Sequence, residues 1–198
     1  MVETLLSFAL FAVVTCFTPG GANMLATASG AHFGYRRSLP VMTGIAIGLG
    51  GMTAAAAGGL AGMLMAAPTL QLYMKIAGTA YLLWLALRIA RSGAPHLSRS
   101  MTRPQHFLSG LWMQCHNPKG WAIALGAAAT FAGLSSSPGG LALLFGPVFF
   151  TVALSAMSLW CLAGQWLSKR LTQGWHWRAF NITLGLALAA TIAPLWLP

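Results

Sequence analysis

Acid is nearly missing from this chain. Its 198 residues include one acidic side chain, Glu3, and no aspartate, against eleven lysines and arginines. Charged residues of both signs make up 6% of the sequence, where a soluble domain carries about 25%. Such a chain cannot cover a water-facing surface. Cysteine is also scarce: Cys16, Cys115 and Cys161 lie singly inside apolar runs, which gives neither a disulfide framework nor paired metal-ligand spacing. They read as small apolar core residues. No basic residue precedes the first apolar run, so the N-terminus reads as a first span rather than a cleavable signal.

What the sequence has instead is hydrocarbon. Apolar residues make up 57% of it, in runs long enough to cross a bilayer, which takes roughly 20 helical residues. The expected fold is all-α, a polytopic membrane protein of about six transmembrane helices near 4–33, 39–65, 70–90, 107–134, 140–167 and 178–197. The net charge of +10 does not point to nucleic acid. The basic residues stand between apolar runs, at Arg36 and Arg37, at Arg88, Arg91, Arg99 and Arg103, and at Lys169, Arg170 and Arg178. The gaps near 66–69 and 135–139 hold none. Under the positive-inside rule this sets six spans with both termini on the outer side of the membrane. Lys75 reads as a snorkelling side chain near a span end, and Trp166, Trp175 and Trp177 as interface anchors.

The stretch 91–106, with Arg, Ser, Pro and His, divides the chain almost in half. The expected organisation is one transmembrane domain over 1–198, with a first repeat of about 1–90, a cytoplasmic linker of about 91–106 and a second repeat of about 107–198. Three spans on either side give two inverted three-helix repeats, a common transporter architecture. A local echo supports it: Cys16-Phe-Thr-Pro19-Gly-Gly21 is matched by Cys115-His-Asn-Pro118-Lys-Gly120, in the first span of each half. Glycines four apart, at 30 and 34, 44 and 48, and 58 and 62, let helices approach closely. They permit a homodimer without requiring one.

Spans 1 and 4 are too long for ordinary helices, and each carries a breaker. Proline cannot continue the helical ladder, so Thr18-Pro19-Gly20-Gly21-Ala22-Asn23 and Asn117-Pro118 should break both spans near the midplane. The freed backbone must then face protein or a wet cavity. Thr18 before Pro19 and Asn117 before Pro118 both read as an N-cap followed by proline at the first helical position. Each would start a half-helix whose amide end attracts an anion. Lys119 lies about twelve residues into span 4, or ~18 Å deep. A lysine there costs about 2.5–3.5 kcal/mol and needs an anionic or carbonyl partner. With no aspartate in the chain, a substrate carboxylate or backbone carbonyls remain.

The candidate substrate site is therefore Thr18, Pro19, Gly20, Gly21, Asn23, Gln114, Asn117, Pro118, Lys119 and Trp121. The lack of acid disfavours a lysine or arginine substrate and favours a neutral or small polar amino acid. Its ammonium would meet half-helix carbonyls, Gln114 or the face of Trp121. Proton coupling would fall to His116 or Lys119. No cofactor is implied.

At these residues the chain resembles the LysE/RhtB exporters. The likeness runs through Thr18–Asn23, Ser29-Gly-Ala-His-Phe-Gly-Tyr-Arg-Arg-Ser38, Gly44-Ile-Ala-Ile-Gly48, Lys75–Leu85 and Asn117-Pro118-Lys119, and thins after about residue 133. It implies secondary export of amino acids from the bacterial cytoplasm, and hence a place in the bacterial inner membrane with both termini periplasmic. The runs Phe33–Pro40 and Asn117-Pro118-Lys119-Gly120-Trp121 are most similar to the cysteine and O-acetylserine group. Two departures stand out. The family's Pro-Gly-Pro-Asn is here Pro19-Gly20-Gly21-Ala22-Asn23, and the acidic residue many relatives carry in span 2 is absent, Gly48 being followed by Leu49. Rival readings are a passive channel, a membrane scaffold, or an intramembrane hydrolase built on Ser29 and His32.

Overall fold

The computed structural model describes residues 2–18, 20–60, 68–91, 104–170 and 174–190, and these are helical with short connections. Pro19, Gly62, residues 66–67, most of the linker (92–103, with Arg99 and Arg103) and the side chains of Lys75 and Arg88 lie outside the described residues. In chain order the helices are α1 (Val2–Phe17), α2 (Gly21–Phe33), α3 (Tyr35–Ala55), α4 (Pro68–Ala90), α5 (Phe107–Cys115), α6 (Pro118–Phe131), α7 (Pro138–Ser168) and α8 (Gly174–Ala190). A π-turn, Ala56–Leu60, extends α3, and a 3-10 turn, Ala132–Leu134, extends α6.

Among the described residues the protein is all-helical, as a polytopic membrane protein would be. The run Tyr35–Gly59 and α7 are each long and apolar enough to span a bilayer, with mean hydropathies of 1.5 and 2.0. Together α1 and α2 pass the same test as a pair bent by 53°. At 31 residues, α7 measures roughly 46 Å and must tilt or reach beyond a ~30 Å hydrocarbon core.

Local sequence explains the boundaries. Ser137 caps α7 by accepting from the Gly140 amide at 3.1 Å, with Pro138 at the first helical position. Only Gly34 separates α2 from α3, at φ +78°, a conformation that L side chains avoid. The first amide of α3, at Tyr35, is capped from across the fold, donating to Gln165 Oε1 at 2.9 Å.

α3 and α7 form the centre, and the other helices pack around them. At one end of the molecule, near Arg36, contact is backbone on backbone. Gly30 of α2 lies against the main chain of Cys161, and Gly164 of α7 against that of Thr27. A second seam joins α3 to α5, with Gly44 against the Phe107 carbonyl and Gly110 against that of Val41. A Cβ at any of the four would overlap backbone atoms, so these glycines set the helix spacing. The other end is filled with rings. Phe8 of α1 packs 4.6 Å from Phe145, 5.4 Å from Phe131 and 5.8 Å from Phe149, centroid to centroid, and all four are buried.

Two expectations change. Trp166 and Trp175 are exposed, as interface anchors would be, but Trp177 is 6% exposed. It packs edge-on against His32 at 5.5 Å and Phe180 at 6.1 Å, because α8 turns this face onto the end of α2. Of the three cysteines, Cys16 and Cys161 are buried, whereas Cys115 is exposed. It is the last residue of α5, on a turn facing away from the bundle.

Candidate functional site

The two helix breaks meet in the middle of the bundle. α1 ends at Phe17, and its last carbonyls have no partner within the helix. Side chains from three other helices take them. Asn23 of α2 donates from Nδ2 to Cys16 O and to Thr18 O, both at 2.9 Å. Trp160 of α7 donates from its indole to Phe17 O at 3.3 Å. Lys119 of α6 donates from Nζ to Thr18 O at 2.5 Å. In an apolar medium each such carbonyl left unmet would cost several kcal/mol.

The second break is closed in a parallel way. The indole of Trp121 donates to Cys115 O at 2.8 Å. The carbonyls of Cys16 and Cys115, matched in the sequence echo, are therefore both taken by a side chain from the half-helix that follows. Asn117 caps α6 by accepting from the Lys119 amide at 3.1 Å, and its Nδ2 donates to Gln114 Oε1 at 3.2 Å. Asn117 and Gln114 are both buried.

The first half-helix differs from its sequence reading. Gly20, in extended conformation, is the N-cap of α2, and no side chain caps that helix. Thr18 belongs to α1: its amide and its hydroxyl both donate to Val14 O, at 3.0 and 2.6 Å. A threonine hydroxyl with an intact helical turn behind it satisfies itself there and leaves the cap to the next residue that can adopt extended angles. The start of α2 thus presents amides with no side-chain oxygen over them, while the start of α6 is covered by Asn117.

Between the breaks is a cavity of about 30 Å³, enough for water. Gly20, Asn23, Gln114, Asn117 and Lys119 line it. A Cβ at Gly20 would fall 2.8 Å from Lys119 Cδ, so a side chain there would displace the lysine from its present path. Gly21 and Pro118 are buried beside it in the first turns of α2 and α6. Thr18 takes part through its carbonyl only. Trp121 lies outside, its ring against the cluster of Met52, Ala56, Ala124 and Ala128. His116 also lies outside, with Nδ1 at 2.9 Å from Trp112 O and its ring 4.1 Å from that of Trp112.

Some of the site had no sequence signal. Trp160, Ile45, Ala153 and Met157 reach the breaks from α3 and α7, beside Leu49, which stands where many relatives carry an acidic residue. They sit in uninterrupted apolar runs, and only the packing of α3 and α7 against both breaks brings them in. The hydrolase reading fails on geometry. Ser29 Oγ is 2.7 Å from Ser38 Oγ, which donates to Gly34 O, while His32 Nδ1 is engaged with Ala28 O at 2.8 Å.

Discontinuous helices meeting at a polar cavity in an apolar bundle are the architecture of many membrane transporters. Residues 13–192 match the LysE type translocator family, and the chain belongs to that family. It is similar to the cysteine/O-acetylserine efflux proteins of Escherichia coli K12 and Shigella sonnei, at 28% identity over 95% of each chain. No solved structure gives a significant match.

Proposed function

We propose that this chain is a secondary exporter of a neutral or small polar amino acid, of the cysteine or O-acetylserine class, across the bacterial inner membrane. In this reading it is a single transmembrane domain of six spans. Residues 1–90 and 107–198 form two inverted repeats joined by the linker 91–106, with both termini periplasmic.

One observation carries the proposal: the Lys119 ammonium reaches Thr18 O between the two breaks, in a cavity with no acidic side chain in its lining. A zwitterion complements such a site. Its carboxylate would sit against the uncapped start of α2 with Lys119 beside it, using free amides, the helix dipole and one full charge. Its ammonium would take the carbonyl-rich end of α1. A lysine or arginine substrate would carry a second cation into a cavity that offers it no carboxylate. The names of the efflux relatives point to two small polar amino acids. At about 30 Å³ the cavity holds water but not an amino acid, so loading requires the helices around the breaks to part.

The test is uptake of labelled serine, cysteine, O-acetylserine and lysine by inverted vesicles, with and without an imposed pH gradient. Gradient-driven uptake of the neutral compounds and not of lysine is expected. Uptake indifferent to any gradient would make the protein a passive facilitator. Absence of uptake for every compound would overturn the reading.

A further inference from the structure

We infer that the groove at the α2–α3 turn is a binding site for the phosphate headgroup of an anionic phospholipid. The groove, of about 470 Å³, is bounded by Phe33, Gly34, Tyr35, Arg36 and Arg37 on one side and by Leu162 and Gln165 of α7 on the other. Both arginines are exposed.

Charge comes first. Arg36 and Arg37 occupy the first turn of α3, which contains no acidic residue and whose N-cap, Gly34, offers no side-chain cap. Two guanidinium groups at a helix N-terminus add to the positive end of the dipole, the reverse of the favourable arrangement. No acidic side chain of this protein lies nearby: its one acidic residue, Glu3, is at the start of α1, the whole length of α1 and α2 away along the chain. Two exposed cations with no acidic side chain beside them are free to take an external anion.

The shape of the groove identifies the anion. The two guanidinium groups offer planar forks suited to phosphate oxygens. Gln165 spends Oε1 on the Tyr35 amide, which leaves its amide group as a neutral donor at the rim. The remainder of the groove is apolar, with Phe33 half-buried and Leu162 46% exposed. Polar donors beside an exposed apolar strip fit a headgroup with its glycerol and acyl chain better than a free anion. The groove also sits where the run Tyr35–Gly59 begins and α7 approaches its end, at the end of two apolar spans.

The experiment uses the detergent-solubilised full chain and soluble short-chain lipids, with binding followed by thermophoresis. Dihexanoyl phosphatidylglycerol should bind, and dihexanoyl phosphatidylcholine should not. An arginine near an anionic lipid surface is worth about fivefold in affinity, so R36Q/R37Q should bind phosphatidylglycerol roughly 25-fold more weakly. K169Q/R170Q removes the same charge just beyond the end of α7, outside the groove, and should bind as the unsubstituted protein does. Should R36Q/R37Q fail to insert, the single variants carry the same test, with about fivefold loss each. Full affinity in R36Q/R37Q, or equal loss in K169Q/R170Q, overturns the site. Inorganic phosphate binding as tightly as phosphatidylglycerol overturns the lipid assignment. The readout is independent of transport, so it stands or falls apart from the proposed export.

Discussion

Lys119 Nζ and the carbonyl oxygen of Thr18 are 2.5 Å apart, although 101 residues separate them in sequence. This contact ties the broken first helix to the broken second one. It also puts a cation at the negative end of α1, from which a substrate ammonium would displace it.

Lys119→Ala removes that cation and should sharply reduce export while leaving the protein inserted. A hydrogen bond to a charged group is worth about 1.5–3 kcal/mol, so uptake at limiting substrate should fall by roughly 10- to 100-fold. Inverted-vesicle uptake, normalised to inserted protein, measures it. Normal uptake would remove Lys119 from the site.

Asn23→Ala strips a donor from both Cys16 O and Thr18 O. Loss of stability by about 1–3 kcal/mol is expected, read as a lower thermal midpoint in detergent. Asn23→Asp should be worse, because a carboxylate would face two carbonyl oxygens. An aspartate variant as stable as the original would contradict this arrangement.

Trp121→Phe keeps the ring and loses the donor to Cys115 O, which costs about 0.5–1.5 kcal/mol. Because Trp121 lies outside the cavity lining, the variant should lower the thermal midpoint without changing the apparent affinity for substrate. A raised KM with unchanged stability would instead make Trp121 a substrate contact.

Gly30→Ala and Gly110→Ala each drive a methyl group into facing backbone, an overpacking that costs about 1–3 kcal/mol. Gly51→Ala and Gly133→Ala, where a Cβ meets nothing within 4 Å, should be neutral or slightly stabilising. Thermal midpoints of the four variants decide it, and equal behaviour across them would mean that the seams do not set helix spacing.

The broken helices were legible because proline and glycine act through their own backbones. Asn117 as a cap was legible for the same reason: its oxygen needs only the Lys119 amide two residues on. Thr18 has the local pattern of a cap but closes α1 instead, because the choice between closing one helix and opening the next rests on whether the Val14 carbonyl is available, which depends on how far α1 continues. Trp177 resembled a surface anchor by composition alone, and its burial follows from where α8 meets α2. Trp160 carried no local signal, since its partner, Phe17 O, is 143 residues away. The sequence therefore shows where the backbone breaks, and long-range packing decides which side chains mend it.

The contrast between the two ends of the bundle bears on how it can move. Four glycines pressed against facing main chain have no rotamers to change, so that end separates as a unit or stays shut, like a zip with a single tooth spacing. The Phe8, Phe131, Phe145 and Phe149 rings can turn one at a time, so the opposite end can yield in small steps. A cycle that opened both ends would therefore part main chain from main chain at one and rings from rings at the other.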